Sequence, residues 1–193
     1  MKRRSWKELS WLPTAPFYNM AILYFIVLIL FVLIFGTMIW ASLSAAPWLP
    51  SWKKDVLAVV KSIEIKSTDI VYDLGCGDGR WLFAVAKTTP AKEIVGFEIS
   101  LLFYVWCRIK ILFSSYPHLK VKYQDLFKAD LSQADVVFCF LLPRTMIKIK
   151  DKLEKEMKPN SLFVSYTFTL PGHQPEKTFK VSQKSLPIYF YRF

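Results

Sequence analysis

The sequence predicts a doubly wound α/β domain behind one membrane-spanning helix, and three observations predict it. A 20-residue apolar stretch lies near the N-terminus. After it, short apolar runs alternate with helix-periodic segments down to the C-terminus. The first of those runs ends in an acidic residue and a turn of alternating glycines. The chain has 193 residues, of which 53% are hydrophobic, more than one soluble domain of this size requires. The excess is concentrated at one end.

No charged residue occurs between Glu8 and Lys53, and Ala21 to Trp40 is almost wholly apolar. Twenty helical residues extend roughly 30 Å, the thickness of a hydrocarbon core. Five of the seven tryptophans, Trp6, Trp11, Trp40, Trp48 and Trp52, stand at or beyond the ends of the stretch, where indole prefers headgroup depth. A cleaved signal peptide is disfavoured by the length of the run and by Pro47 after the small residues Ser44 to Ala46. The chain therefore divides into a basic segment (residues 1–16), a single-pass span with its flanks (17–46), a stiff Pro/Trp linker (47–52) and a domain (53–193). Basic residues flank both ends of the span, so charge alone does not orient it.

Within the domain, Trp52 to Ile63 has helical spacing, and Asp69 to Asp73 reads as the first strand. Arg80 to Thr88 is a helix stopped by Pro90, Glu93 to Glu98 a short strand, and Ser100 an N-cap for a helix reaching about Ser114. Leu119 to Gln124 alternates as a third strand. The continuous apolar run Ala134 to Leu142 suits a strand buried on both faces. In Pro143 to Lys158, Met146, Ile149, Leu153 and Met157 form one helical stripe, with the charges of Lys148 to Glu156 on a solvated face. Leu162 to Phe168 is a fifth strand, and Thr178 to Val181 with Ile188 to Phe193 make a closing antiparallel pair. Leu101 to Phe113 is apolar nearly all round, broken by Arg108 and Lys110. Three placements are open to it: against the bilayer, against a substrate helix, or buried between the sheet and the N-terminal helix.

Lys and Arg number 26 against 15 Asp and Glu, a net +11, and the excess is spread along the chain. Such a domain is drawn to anionic headgroups, acidic proteins or nucleic acid. Cys76, Cys107 and Cys139 form no CxxC pair, so neither a disulfide framework nor a metal site is indicated, and His118 and His173 fall in loops without an assigned role.

The chemistry concentrates in Val71-Tyr72-Asp73-Leu74-Gly75-Cys76-Gly77-Asp78-Gly79-Arg80. A strand turning into a helix through closely spaced glycines lets backbone approach a ligand at the C-terminal end of the sheet. Arg80 stands where a dinucleotide fingerprint requires its third glycine, and no Lys-Ser or Lys-Thr follows, so NAD, FAD and phosphate-cradling loops are disfavoured.

Read with its acidic followers, this segment resembles motif I of class I S-adenosylmethionine-dependent methyltransferases, over a domain from about Trp52 to Phe193. The resemblance implies a Rossmann-like, doubly wound, mostly parallel seven-stranded sheet and S-adenosyl-L-methionine as cofactor. It implies that Asp73 holds the methionine portion of the cofactor with backbone around Gly75 and Gly77, and that Glu98 accepts both ribose hydroxyls. Asp125 falls where the family binds the adenine amino group; Cys76, Gly79, Ile99 and Leu126 complete the cofactor-binding set.

The loop Phe140-Leu141-Leu142-Pro143-Arg144 lacks the Asn/Asp-Pro-Pro-aromatic motif of amino-directed nucleic-acid methyltransferases, and no nucleophilic cysteine follows a proline there, so nucleic acid is disfavoured as acceptor. The stretch Ala134 to Met146 and Ser165-Tyr166-Thr167-Phe168 is similar to small membrane-anchored lysine methyltransferases acting on the adenine nucleotide translocase and the ATP synthase c-subunit. The sequence departs from them at Thr167 and His173. This narrower resemblance implies a membrane-protein lysine as acceptor, a lipid bilayer as partner, no metal, and a domain on the cytoplasmic or matrix side. Phe140, Pro143 and Tyr166 are the candidate catalytic residues, the aromatic faces serving as walls for a methylammonium product. A lipid or lipophilic small molecule as acceptor, and a non-catalytic cofactor-binding module, are the competing readings.

Overall fold

The computed structural model describes residues 15–44 and 48–193. Residues 1–14 of the basic segment, with Trp6 and Trp11, and Pro47 of the linker lie outside the described residues. A long helix, α1 (Ala15–Ser44), precedes the domain. Within it Tyr18–Leu43 is long and apolar enough to cross a membrane, with a mean hydropathy of 3.0 and none of its most apolar window buried.

The domain runs α2 (Lys53–Lys61), β1 (Ile70–Leu74), α3 (Arg80–Thr88), β2 (Glu93–Glu98), α4 (Leu101–Leu112), β3 (Leu119–Tyr123), a short 3-10 turn (Leu126–Lys128), β4 (Val136–Cys139), α5 (Pro143–Glu156), β5 (Leu162–Tyr166), β6 (Lys177–Phe179) and β7 (Ile188–Arg192). The seven strands lie in the order β3-β2-β1-β4-β5-β7-β6. β1 to β5 are mutually parallel, whereas β7 pairs antiparallel with both β5 and β6, so the sheet is mixed. The order reverses between β1 and β4, and such a switch point leaves a crevice outside the strand ends.

Alternation along each strand divides the core into two layers. Val71, Phe138, Val164 and Tyr166 face α2 and α3, while Leu74, Val137, Cys139 and Phe163 face α5. The apolar run expected as one strand from Ala134 to Leu142 pairs only over Val136–Cys139. Its last residues, Phe140 and Leu141, leave the ladder and line a cavity instead.

Helix α4 also corrects an expectation. Ser100 occupies the N-cap position, but its hydroxyl is buried without a partner among the described residues and does not cap the helix. Instead Thr37 Oγ1 of α1 accepts from the Leu101 amide at 3.1 Å, so the long apolar helix supplies one of the acceptors that the start of α4 needs. Arg144 Nη2, on α5, donates to the Ser42 carbonyl at 2.8 Å, a second tie to α1.

Candidate active site at the ends of the first two strands

Strand β1 delivers Asp73 to the crevice and then turns through Gly75, Gly77 and Gly79, all with positive φ. The turn is pinned to β2, because the amides of Gly75 and Cys76 both donate to the Phe97 carbonyl at 3.0 and 3.1 Å. Gly77 shows why glycine is needed. Its φ is +52°, and a Cβ there would stand 2.9 Å from Trp48 Cδ1.

Beside the turn, Glu98 ends β2 with its carboxylate 6% exposed. One oxygen accepts from the Gly77 amide at 2.8 Å and the other from the Ser100 amide at 2.7 Å. Burial raises its pKa, and these backbone donors act against the rise. Asp73 is in a harsher position. It is 2% exposed, and its Oδ2 is buried with no hydrogen-bond partner among the described residues. Burial pushes its carboxyl well above the ordinary carboxylate value, and the nearby Glu98 and Asp78 push it further. An unpaired carboxylate oxygen in such a place is a site for a cation or a charged donor. The amino group and sulfonium of S-adenosylmethionine are of that kind.

These groups open on a cavity of about 340 Å³. Asp73, Gly75, Cys76, Gly77, Glu98 and Ile99 line it from β1 and β2, and Asp125, Leu126 and Phe140 from the neighbouring strand ends. Asp125 also has a local task, accepting from the Phe127 amide at 3.0 Å to cap the 3-10 turn. Gly79, Pro143 and Tyr166 are not among the lining residues. Gly79 is the left-handed N-cap of α3, and Pro143 starts α5, where its missing N–H costs nothing. Tyr166 stands behind the wall: its ring meets Phe140 edge-on at 4.9 Å, and its hydroxyl donates to Asp55 Oδ2 at 2.7 Å. Burial and the Asp55 carboxylate raise its pKa.

Sequence reasoning missed the opposite wall. Met38, Ala41 and Ser42 of α1 and Trp48 and Leu49 of the linker line the same cavity. Trp48, read as a headgroup belt residue, stacks on Phe103 with ring centroids 5.1 Å apart. The linker is fastened beyond it: Arg80 Nη1 donates to the Ser51 carbonyl at 2.6 Å and Trp81 Nε1 to the Ser51 hydroxyl at 3.2 Å. No pattern in the linker sequence announces this, because the contacts join residues about thirty positions apart.

The chain is similar to known proteins in sequence and in fold. The family profile described as the ANTKMT methyltransferase domain matches residues 73–177. A protein-lysine N-methyltransferase of Saccharolobus islandicus (strain REY15A) is 33% identical over 153 residues, covering 75% of this chain and 92% of the relative. The lysine N-methyltransferase of the ATP synthase c-subunit from Homo sapiens is 30% identical over 132 residues, covering 67% of this chain and 55% of that protein. Among solved structures, an RNA methyltransferase from Salinibacter ruber in complex with S-adenosyl-L-homocysteine superposes with a TM-score of 0.70 at 29% identity, over 75% of this chain and 93% of that one.

Proposed function

From a chain that belongs to the ANTKMT methyltransferase domain family and is an S-adenosylmethionine-dependent methyltransferase, we propose that it methylates a lysine of a membrane protein while α1 holds it in the bilayer. The observation that carries the reading is the shared cavity: Asp73 and Glu98 line it on one side, and Met38, Ala41 and Ser42 of the apolar helix line it on the other. An acceptor entering there meets the reaction next to the end of a membrane-spanning segment. The relatives named as lysine methyltransferases supply the acceptor class. The domain then lies on the cytoplasmic or matrix side, where the cofactor is available.

The bound cofactor supplies an activated methyl on a sulfonium. The protein's share is to bind, align and keep water out. Asp73 would hold the cationic amino group, Glu98 would take the ribose hydroxyls with the lone pairs left after Gly77 and Ser100, and the glycine turn would let the backbone approach the cofactor. Asp125 would serve the adenine. Phe140, backed by Tyr166, gives an apolar wall beside the acceptor amine. A lysine ammonium entering that wall loses hydration, which lowers its pKa and favours the neutral nucleophile.

The test is to incubate membranes from cells lacking the protein with the purified full chain and cofactor labelled in the methyl group. Label on lysine in a membrane protein is the expected result. Label confined to RNA, or to the organic-soluble fraction, would overturn the acceptor assignment.

A further inference from the structure

Resting on the reading of α1 as a membrane anchor, we propose that the outward face of α4 is a second membrane-contact surface, seated in the headgroup region of the same bilayer. Leu102, Val105, Trp106, Ile109, Leu112 and the C-capping Phe113 are all exposed, with Leu112 at 73% and Phe113 at 89%. Their spacing places them on one stripe of the helix, the pattern by which a helix ordinarily finds its core. Here the stripe points away from the core. Cys107 is the sole fully buried residue of α4, with Tyr104 and Ile111 packed partly beneath it.

Two observations select lipid as the occupant. The first is continuity. About 20 helical residues cross a hydrocarbon core, the stretch Ala21 to Trp40 has that length, and Thr37, in its last turn, hydrogen-bonds the Leu101 amide. The start of α4 is thus held at the depth where α1 leaves the core. The second is charge. α4 carries Arg108 and Lys110 and no acidic residue; Lys110 Nζ reaches inward to the Asp78 carbonyl at 2.8 Å, which leaves Arg108 as the cation on the outward side. Arg108 is exposed beside the stripe. An apolar stripe with an indole in it, a cation at its edge and no acid is the composition of a helix lying in the interface of an anionic membrane. Seated this way, α4 brings Ser100 and Phe103, which line the cavity, down to the headgroups. The cavity then opens toward membrane-embedded acceptors rather than toward bulk solvent.

The experiment uses the full chain in vesicles of phosphatidylcholine and phosphatidylglycerol. Single cysteines at Leu112→Cys, Lys148→Cys and Leu28→Cys are labelled with an environment-sensitive fluorophore; the native Cys76, Cys107 and Cys139 are buried and free. The expected result is that the Leu112→Cys label is quenched by shallow nitroxide lipids and shielded several-fold from aqueous iodide relative to the Lys148→Cys label. If Leu28→Cys is quenched by lipid while Leu112→Cys is as open to iodide as Lys148→Cys, this inference falls and the anchor stands. If Leu28→Cys is not quenched, the anchor falls and takes the inference with it. A Leu112→Cys label shielded from both quenchers would put a protein surface on the stripe and likewise overturn the proposal.

Discussion

Helices α4 and α5 flank the same sheet and are nearly equal in length, yet they treat their surroundings in opposite ways. α5 buries Met146, Ile149 and Leu153 and turns a charged face to water, where Lys150 and Glu154 pair. α4 buries Cys107 alone and turns its apolar stripe outward. The α5 side is completed by protein alone. The α4 side is left incomplete, with an unpaired Asp73 oxygen, a cavity and an uncovered apolar face. A side finished by protein should be costly to truncate, and an unfinished one should respond chiefly to ligands and lipid.

The largest contrast is between Leu153→Ala and Leu112→Ala. Leu153 is fully buried, and its truncation is expected to cost ~2–5 kcal/mol of folding stability. Leu112 is 73% exposed, and the same change in detergent micelles should stay within ~0.5 kcal/mol. Equal losses in chemical denaturation would erase the distinction between the two helices.

Asp73→Asn sharpens the comparison on the open side. Losing a charged hydrogen-bond acceptor should weaken cofactor binding by ~1.5–3 kcal/mol in calorimetry, while the free protein becomes more stable at neutral pH. The sign follows from the raised carboxyl. Between its unfolded and folded pKa the native state binds the extra proton, so stability falls as pH rises through that window and is level above it. The Asn variant should lose that slope. Cofactor affinity of the native protein should rise with pH as Asp73 ionises, because binding stabilises the carboxylate.

Tyr166→Phe probes a polar pair that the α4 side does complete. Its hydroxyl serves the buried Asp55, whose other oxygen accepts from Ser185 at 3.2 Å. Removing it should cost ~1–3 kcal/mol of stability. With the ring kept behind Phe140, kcat should change little. A large fall in kcat with unchanged stability would return Tyr166 to the cavity wall. The smallest effect is expected on the water-facing side of α5, where Lys150→Ala breaks an i,i+4 pair and should cost at most ~1 kcal/mol.

The parts legible in the sequence were those with a local signature. The one-sided stripe of α5 named both the helix and its buried face, and the strands from Ile70–Leu74 to Ile188–Arg192 fall within or beside the runs read for them. The glycine turn and its acids were legible because backbone geometry demands those residue types, and the structure brings Asp73, Gly77, Glu98 and Asp125 to one cavity. α4 was not resolvable, because a helix apolar on every side carries no moment to say which face turns inward. Nor could spacing reveal that Tyr166 serves Asp55, 111 residues away, or that Trp48 lies over Gly77. Those contacts exist only once α2 and the linker pack against the sheet. Gly96 was passed over for the same reason: a Cβ there would stand 2.6 Å from Leu82 Cδ1 and 2.7 Å from Cys76 Sγ, a crowding invisible along the strand.

The assignment of the cavity is tested most directly by calorimetric titration of the full chain with S-adenosyl-L-homocysteine, beside Glu98→Ala and Asp73→Asn. Saturable binding by the native protein, weakened at least about tenfold in both variants while each still melts cooperatively, is the predicted result. Undiminished affinity in both variants would contradict it and move the cofactor away from the ends of β1 and β2.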